Sequence, residues 1–293
     1  MLRCFVMPEL PEVETVRRGL AKTIVGKTIA GFTCDTKKMM NRPLSFYQKT
    51  LKGLKVLALD RRAKMIIIRL SKEWNILVHL KMTGQLVYCG DHQSVVGGHP
   101  IKEGFEKDPN RFTHATFTFT DKSHLFFNDV RKFGWLRLFR GDELIKVLDH
   151  DLGPEPLEEN YTLELFQNAL KRRPNNRIKQ FLMDNKNVVG IGNIYSDEIC
   201  YFARVRPDRR VKALKESEIK LLFKGIKHIL AEAIKYEGTS ISDYVNAMGE
   251  AGAYTKKLRV YGRYDEKCFK CGGVVKRLKI GGRTSSFCPR CQK

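Results

Sequence analysis

The sequence predicts a multidomain α+β protein, and three stretches of different pattern support this prediction. Short β-type runs dominate from residue 24 to about 139, helical patterns follow, and a small basic module with paired cysteines ends the chain. Repeated strands without intervening helices favour a β-sandwich or a barrel. At 293 residues the chain is long enough for about two domains with a sizeable core.

The first predicted element is a helix that starts close to Met7. Pro8 and Pro11 are tolerated in a first turn, because the backbone N–H groups there have no intrahelical partners. Acidic residues suit this positive end of the helix dipole, and apolar residues recur at helical spacing as far as Leu20. These features alone are typical of an ordinary helix N-terminus.

Five β-type runs are the clearest elements of the next region, over 66–70, 76–80, 115–120, 125–127 and 135–139. The segment 90–110 is rich in glycine and polar residues and predicts a long loop. The proline- and glycine-containing stretch 152–156 predicts a linker.

Four helical patterns follow the linker, over 162–171, 178–185, 194–202 and 216–237. The last of them repeats apolar residues at i, i+3 and i+4, which indicates a helix face buried in a core. From residue 255 onward the composition becomes basic and cysteine-paired. The sequence therefore predicts domains over 7–150, 151–254 and 255–293, with 1–6 as an extension.

The cysteine spacing predicts one structural zinc ion. Two C-x2-C pairs are separated by sixteen residues, and their members are Cys268, Cys271, Cys288 and Cys291. Four thiolates at this spacing surround Zn²⁺ tetrahedrally and leave no open position for catalysis. Between the pairs, β-type runs flank Gly281 and Gly282, which predicts a zinc-stapled β-hairpin. The remaining cysteines are scattered, as is usual in a reducing cytoplasm.

The charge predicts a polyanionic partner. The chain has 54 basic and 32 acidic residues, hence +22, which nucleic acid would neutralise most simply, although an anionic membrane surface would also satisfy the charge. No apolar run approaches the roughly 18 residues of a membrane span. Residues 256–293 alone carry twelve basic and two acidic residues, 12 − 2 = +10, which favours contact with phosphates.

Pro8 gives the N-terminal turn a second interpretation. A methionine before a small residue is normally removed, so initiation at Met7 would leave Pro8 with a free secondary amine. The pKa of an α-amino group is about 8, against about 10.4 for lysine, so roughly a tenth of it is neutral at pH 7. The helix N-terminus would lower this pKa further. A neutral amine can attack a sugar carbon and form an imine.

The residues from Pro8 to Thr15 resemble the mature N-terminus of formamidopyrimidine-DNA glycosylases, which repair oxidised purines. The resemblance runs from Met7 to Lys293, and Leu10 favours the purine branch over the endonuclease-VIII branch, which usually has glycine there. It implies an N-terminal β-sandwich with flanking helices, a helix–two-turn–helix domain and a C-terminal zinc-finger β-hairpin. Residues 1–6 depart from the pattern, and we expect a start codon assigned too early, since the prefix is too short for a secretory signal.

The resemblance implies a bifunctional glycosylase and lyase. The Pro8 nitrogen would attack C1′ of the damaged nucleotide, expel the base and form an imine, while Glu9 protonates or stabilises the opening sugar. Successive β- and δ-eliminations would then cut the strand on both sides. Lys64 and Arg283 complete the implied catalytic set by holding phosphates near the lesion. Glu12 is expected to anchor the N-terminal turn.

A second set of residues is implied to bind and distort the DNA: Lys179, Asn193, Met82, Arg131 and Phe133. Lys179 and Asn193 would grip the phosphates beside the flipped nucleotide. Met82, Arg131 and Phe133 would fill the gap that an extruded base leaves. Without the resemblance, Met82 and Phe133 would be interpreted as core residues. The segment 246–254 corresponds to the loop that closes over the flipped 8-oxoguanine.

Three alternatives remain open at this point. A glycosylase for oxidised pyrimidines fits the same motifs, and a non-catalytic damage-binding protein follows if the prefix before Pro8 is retained, because an amide nitrogen forms no imine. A zinc-ribbon RNA-binding protein explains charge and zinc but leaves Pro8 and Glu9 without a role. The leading expectation is a monomeric base-excision repair enzyme of the cytoplasm or nucleoid, which acts on duplex DNA with oxidised purines or abasic sites and associates with no membrane.

Overall fold

The structure is a computed structural model that describes residues 7–90, 93–98, 109–150, 152–239 and 253–293. Its contacts divide the chain into two units, Met1–His150 with Tyr236–Thr255, and Asp151–Lys235 with Lys256–Lys293. This division differs from the predicted boundaries in two respects, since 236–254 groups with the N-terminal unit and 256–293 groups with the helical unit. The N-terminal prefix and most of the expected lesion-capping loop, 246–252, lie outside the described residues.

The first unit consists mainly of antiparallel strands. In chain order its elements are α1 (Leu10–Ile24), β1 (Ile29–Cys34), α2 (Leu44–Leu51), β2 (Val56–Arg62), β3 (Met65–Leu70), β4 (Trp74–His79), β5 (Gly84–Gly90), β6 (Gln93–Gly98), β7 (Thr113–Phe119), β8 (His124–Asp129), β9 (Trp135–Arg140) and α3 (Asp142–Asp149). The strands form two sheets, ordered β1-β7-β8-β5-β6 and β2-β3-β4-β9. Side chains from both sheets share one core with α1 and α2, so the predicted sandwich is confirmed.

The expected long loop over 90–110 is wrong for its first part. Strand β6 lies within it and pairs antiparallel with β5 from Gln85↔Gly98 to Gly90↔Gln93. Helix α1 covers this strand so closely that a Cβ on Gly97 would come within 2.7 Å of the Val16 side chain. Glycine at this position therefore permits close packing of a strand against a helix. A high glycine content alone does not tell such a strand from a loop.

The second unit is helical and ends in a hairpin. Its elements are α4 (Leu163–Lys171), α5 (Ile178–Met183), α6 (Asn193–Phe202), α7 (Glu216–Lys235), β10 (Lys276–Ile280) and β11 (Arg283–Phe287). Helix α4 begins after Thr162, whose hydroxyl accepts the Leu165 N–H as an N-cap. In α7 the predicted apolar face is buried. The four helices and the hairpin agree with the sequence-based prediction.

The hairpin turn depends on two glycines. Gly281 and Gly282 have φ of +54° and +76°, the left-handed geometry that a two-residue turn with the twist of the strands requires. The pairing Ile280↔Arg283 therefore places Arg283 directly after the turn, where it is exposed.

In the part of the chain that the structure describes, no helix is both long enough and apolar enough to cross a membrane.

Candidate functional site

The N-terminal turn of the first unit is buried and held by a carboxylate. Pro8 is buried, and Glu9, the residue before α1, is only 1% exposed. The Glu9 backbone N–H donates to Glu12 Oε2 at 3.0 Å, as in a capping box. The other oxygen of Glu12 accepts the backbone N–H and the hydroxyl of Thr239 at 2.8 and 3.1 Å. Glu12 thus joins the N-terminal turn to Thr239, which the sequence did not single out.

The turn that bears Lys64 is joined to α1 by charged side chains. It links β2 to β3, and Arg61 Nη1 donates to the Ala63 carbonyl at 2.9 Å. Arg61 Nε lies 3.3 Å from a carboxylate oxygen of Glu14 on α1. Burial opposes ionisation of Glu14, but hydrogen bonds from Arg17 and Arg18 outweigh it and lower its pKa. The ionised Glu14 therefore helps to set the turn in which Lys64, itself only 9% exposed, is placed.

Two turns in the same unit bring three predicted residues together. We call residues 80–84, between β4 and β5, the first wedge turn, and residues 129–134, between β8 and β9, the second wedge turn. Arg131 Nη1 donates to the Met82 sulfur at 3.2 Å, and its guanidinium lies 4.6 Å from the centre of the Phe133 ring. Phe133 is 51% exposed and Met82 half-buried. Neither is a core residue, contrary to the interpretation from pattern alone.

His79 shapes the first wedge turn as a neutral side chain. Its Nδ1 accepts the backbone N–H of Lys81 at 2.9 Å. Burial lowers the pKa of His79 to about 3, and the positive charges of Lys81, Lys64 and Arg137 act in the same direction. The imidazole therefore stays neutral at physiological pH and can accept this hydrogen bond.

In the second unit, Asn193 begins helix α6 directly after Gly192. Its Nδ2 donates to the Tyr261 hydroxyl at 3.4 Å. Its Oδ1 is buried and finds no hydrogen-bond partner among the described residues. The N–H groups at a helix N-terminus form a favourable site for an anion, so Asn193 lies where a phosphate can be bound.

Lys179 lies below the surface in this unit, with no exposed area. Its ammonium donates to Asp197 Oδ1 at 2.7 Å, and to the carbonyls of Thr284 and Asn193 at 3.4 and 3.5 Å. Burial raises the pKa of Asp197, and the charge of Lys179 opposes that rise. Lys179 therefore connects α6 to the hairpin, while its predicted direct contact with phosphate stays a prediction.

Two adjacent acidic residues of α6 hold the cysteine-bearing module. Asp197 Oδ1 accepts the hydroxyl of Ser285, and Oδ2 accepts the backbone N–H of Ser286 at 2.8 Å. Glu198 accepts three consecutive backbone N–H groups, from 259–261, at 2.9, 3.0 and 2.9 Å. Sequence analysis missed both residues. Their only signal was a pair of adjacent charges in a helix whose other residues are uncharged, a position in which charges need partners.

The four paired cysteines form a metal site. Their sulfur atoms lie within 4.8 Å of one another, with 3.9 Å between Cys268 and Cys291 and 3.5 Å between Cys271 and Cys288. A tetrahedron with Zn–S bonds of about 2.3 Å has edges of about 3.8 Å. The residues therefore fit one structural Zn²⁺, as predicted. The Tyr201 hydroxyl lies 3.4 Å from the Cys268 sulfur and supports that ligand from outside.

Three family models match the chain in succession. The formamidopyrimidine-DNA glycosylase N-terminal domain matches residues 7–136, and the H2TH domain of the same enzymes matches 152–245. A zinc finger found in FPG and IleRS matches 265–293. The matches follow the order of the sandwich, the helical region and the zinc-binding hairpin.

Individual proteins agree with these matches over nearly their whole length. The formamidopyrimidine-DNA glycosylase of Pelotomaculum thermopropionicum is 40% identical over 290 residues, which cover 98% of this chain and 99% of the relative. The Lactococcus lactis Fpg in complex with abasic-site DNA is 35% identical, with a TM-score of 0.85 and coverage of 97% and 99%. A complex of that protein with Fapy-dG DNA is 34% identical in sequence, with a TM-score of 0.84. The match covers 97% of this chain and 100% of that one. This chain belongs to the formamidopyrimidine-DNA glycosylase family.

Proposed function

We propose that this protein is a bifunctional DNA glycosylase and abasic-site lyase that removes oxidised purines, including 8-oxoguanine and formamidopyrimidines, from duplex DNA. The observation that carries the proposal is the buried turn in which Pro8 and Glu9 stand side by side before α1. A secondary amine and a carboxyl group are the two groups that imine formation at a sugar requires. The abasic-site and Fapy-dG DNA in the complexes of the relatives supports this substrate class.

In the proposed mechanism, the lone pair of the Pro8 nitrogen forms a bond to C1′ while the glycosidic bond breaks. The base leaves with the electrons of that bond and takes up a proton, while the Pro8 nitrogen, positively charged once it has bonded to C1′, loses its own proton. Glu9 supplies a proton to the sugar ring oxygen as the ring opens, which completes the imine. The imine then acts as the electron sink for β- and δ-elimination, which expel the two flanking phosphates. The zinc ion takes no part in these steps, because four thiolates leave it no open position.

The chemistry requires a free Pro8 nitrogen, so we propose that the active form begins at Pro8. The start of the family match at residue 7 supports this proposal. The N-terminus of α1 disfavours a positive charge on the amine, and the ammonium of Lys64 would do the same where DNA brings the groups together. Both effects increase the neutral fraction that can attack C1′.

DNA contacts are divided between the two units. In the first, Met82, Arg131 and Phe133 fill the space of the extruded base. In the second, the N-terminus of α6 with Asn193 and the exposed Arg283 bind phosphates. The net charge of +22 suits this polyanionic partner. We propose that the chain acts as a monomer at the nucleoid in the cytoplasm, and the bacterial origin of its relatives supports this location.

Borohydride trapping on an 8-oxoguanine duplex tests the proposal. Protein that begins at Pro8 is expected to give a covalent adduct whose mass maps to Pro8, because borohydride reduces the imine to a stable amine. Protein that retains residues 1–7 is expected to give none, since its Pro8 nitrogen is an amide. The Glu9→Gln variant should bind lesion DNA yet lose base excision, which measures the role of the carboxyl group separately.

Two outcomes would contradict parts of this proposal. If neither form of the protein traps, the imine mechanism fails and the chain is a damage-binding protein. If thymine glycol is excised faster than 8-oxoguanine opposite cytosine, the enzyme class stands but the purine preference fails.

A further inference from the structure

We infer that Asp129 is a positioning residue that joins the two wedge turns into one rigid unit. This inference rests on the proposed function, in which Met82, Arg131 and Phe133 replace the extruded base. It assigns the placement of these three side chains to a carboxylate that is buried beneath them and touches no DNA.

The Asp129 side chain is fully buried and forms hydrogen bonds to both wedge turns. Its Oδ1 accepts the hydroxyl of Thr83, which directly follows Met82 in the first wedge turn. The same oxygen accepts the Arg131 N–H at 3.1 Å, and Oδ2 accepts the Gly134 N–H at 2.7 Å. The Thr83 hydroxyl also accepts the Arg131 N–H at 3.2 Å. One carboxylate therefore connects the backbone of the second turn to a side chain of the first.

The backbone of both turns needs such support. Lys81 and Lys132 have φ of +53° and +55°, a left-handed geometry that is unfavourable for lysine, and each directly precedes a wedge residue. Each turn also ends at a glycine without room for a side chain. A Cβ on Gly84 would lie 2.3 Å from the Leu80 carbonyl oxygen, and one on Gly134 would lie 2.6 Å from the Phe127 ring. Both turns thus hold one tight conformation that the hydrogen bonds of Asp129 stabilise.

The main chain of Asp129 is fixed independently of its carboxylate. His114 Nε2 lies 3.1 Å from the Asp129 carbonyl oxygen, while Nδ1 lies 3.0 Å from Asp35 Oδ1. The His114 ring therefore lies between the Asp129 main chain and the Asp35 side chain. Because His114 holds the main chain, the two carboxylate oxygens remain available to the turns.

The rigid arrangement of the two wedge turns should affect the step in which the base is extruded from the duplex. The three wedge side chains must enter the duplex together, and a preset arrangement removes the entropy cost of ordering them at that moment. A normal or oxidised base must be unstacked before chemistry, whereas a preformed abasic site has no base to unstack. Loss of the Asp129 contacts should therefore slow excision of a base far more than cleavage of an abasic site.

The test compares two variants of the active form with wild type in single-turnover assays on an 8-oxoguanine duplex and on a duplex with a preformed abasic site. Thr83→Val removes one hydroxyl without changing the side-chain shape, and Asp129→Asn removes one acceptor oxygen. Both should slow excision about tenfold or more while abasic-site cleavage changes by less than about threefold. Fluorescence of 2-aminopurine beside the lesion should show correspondingly slower unstacking.

A matched control exists in the same sheet. Asp121, which is exposed and also pairs with Lys27, accepts the N–H and the hydroxyl of Ser123 at 3.0 and 2.6 Å in the turn between β7 and β8, which carries no wedge residue. Asp121→Asn should leave both rates within about twofold of wild type, because the same type of contact is lost where no DNA is distorted.

The outcomes separate this inference from the proposed function. If Phe133→Ala loses excision while Thr83→Val and Asp129→Asn keep it, the role of Asp129 is refuted and the wedge stands. If Phe133→Ala also keeps excision, the wedge assignment itself fails. Equal losses of both activities in Thr83→Val and Asp129→Asn, together with a lower unfolding temperature, would show a merely structural role and overturn the inference.

Discussion

The β-sandwich and the zinc-binding hairpin are held together by different forces, although each ends in turns that are proposed to contact DNA. Among the described residues, the sandwich core contains 27 buried apolar side chains, while the hairpin module has four, two of which are cysteines. A module this small cannot bury enough apolar surface to fold alone, so it depends on a metal ion and on polar contacts. The hairpin should therefore respond to chelation and to loss of charge, and the sandwich to changes in packing or protonation.

The same type of group nevertheless occurs in both regions. Asp129 in the sandwich and Asp197 beside the hairpin are both fully buried, and each accepts a hydroxyl and a backbone N–H. Asp197 also binds the buried ammonium of Lys179. A buried carboxylate can thus order a turn with or without a paired cation. Removal of Asp197, however, leaves the charge of Lys179 uncompensated, whereas Asp129 has no such partner in the contacts described above.

Removal of zinc should have the largest effect. Metal binding supplies about 10–16 kcal/mol to small zinc modules, so chelation should unfold β10 and β11 while the sandwich keeps its structure. Hydrogen exchange should become fast in 276–287 and stay slow in β4 and β5. Affinity for lesion DNA, measured by fluorescence anisotropy, should fall by about two orders of magnitude, because the proposed phosphate contact of Arg283 would be lost.

Restoration of Zn²⁺ provides the control, since it should bring back both exchange protection and affinity. Tight DNA binding by the metal-free protein would contradict the placement of this hairpin on DNA.

Asp197→Ala should have the next largest effect, with a loss of about 3–5 kcal/mol of unfolding free energy. It leaves the Lys179 ammonium buried without its counter-charge. Urea unfolding of the zinc-loaded protein measures it. The partly exposed ion pair of Arg206 and Asp208, 2.9 Å apart, offers the control. Asp208→Ala should cost less than about 1 kcal/mol. Equal costs for the two variants would mean that the Lys179 pair is not the buried contact described above.

The pH dependence of the sandwich should be smaller. The pKa of His79 is about 3 in the folded protein, against about 6.5 in the unfolded chain. Between these two pH values the unfolded chain therefore binds a proton at His79 that the folded protein does not bind. Stability contributed by neutral His79 is therefore present above pH 6.5 and decreases as the pH falls toward 3. Between pH 7 and 5.5 the loss should be about 1 kcal/mol. A His79→Asn variant should show a flatter pH profile in thermal unfolding, and an unchanged slope would contradict the burial of this imidazole.

Lys132→Gly should have the smallest effect on stability, within about 0.5 kcal/mol, because relief of the left-handed backbone offsets the greater freedom of glycine in the unfolded chain. Lys122 has φ of +67° in a turn without a wedge residue, so Lys122→Gly is its control. We expect 8-oxoguanine excision to fall only in Lys132→Gly, since a looser second wedge turn no longer presets Phe133. Equal excision rates in both variants would show that rigidity of this turn is unimportant.

Local patterns determined much of the fold. Helix α1 followed from prolines, acidic residues and apolar spacing, the hairpin from Gly281 and Gly282, and the zinc site from two cysteine pairs. Each pattern involves residues close in sequence, or a metal geometry that permits few alternatives. The family resemblance added candidate roles for Pro8 and Glu9, for which local patterns alone predict only a helix start.

The tertiary structure decided what depends on distant partners. Glu12 and Thr239 are 227 positions apart, and Lys179 lies 105 positions from Thr284, so no window of sequence contains these contacts. The burial of Lys179 and Asp129, and strand β6 beneath α1, follow from what other segments place around them. A charged or glycine-rich residue has the same identity on a surface and in a core, and only its neighbours in the fold determine which role it has.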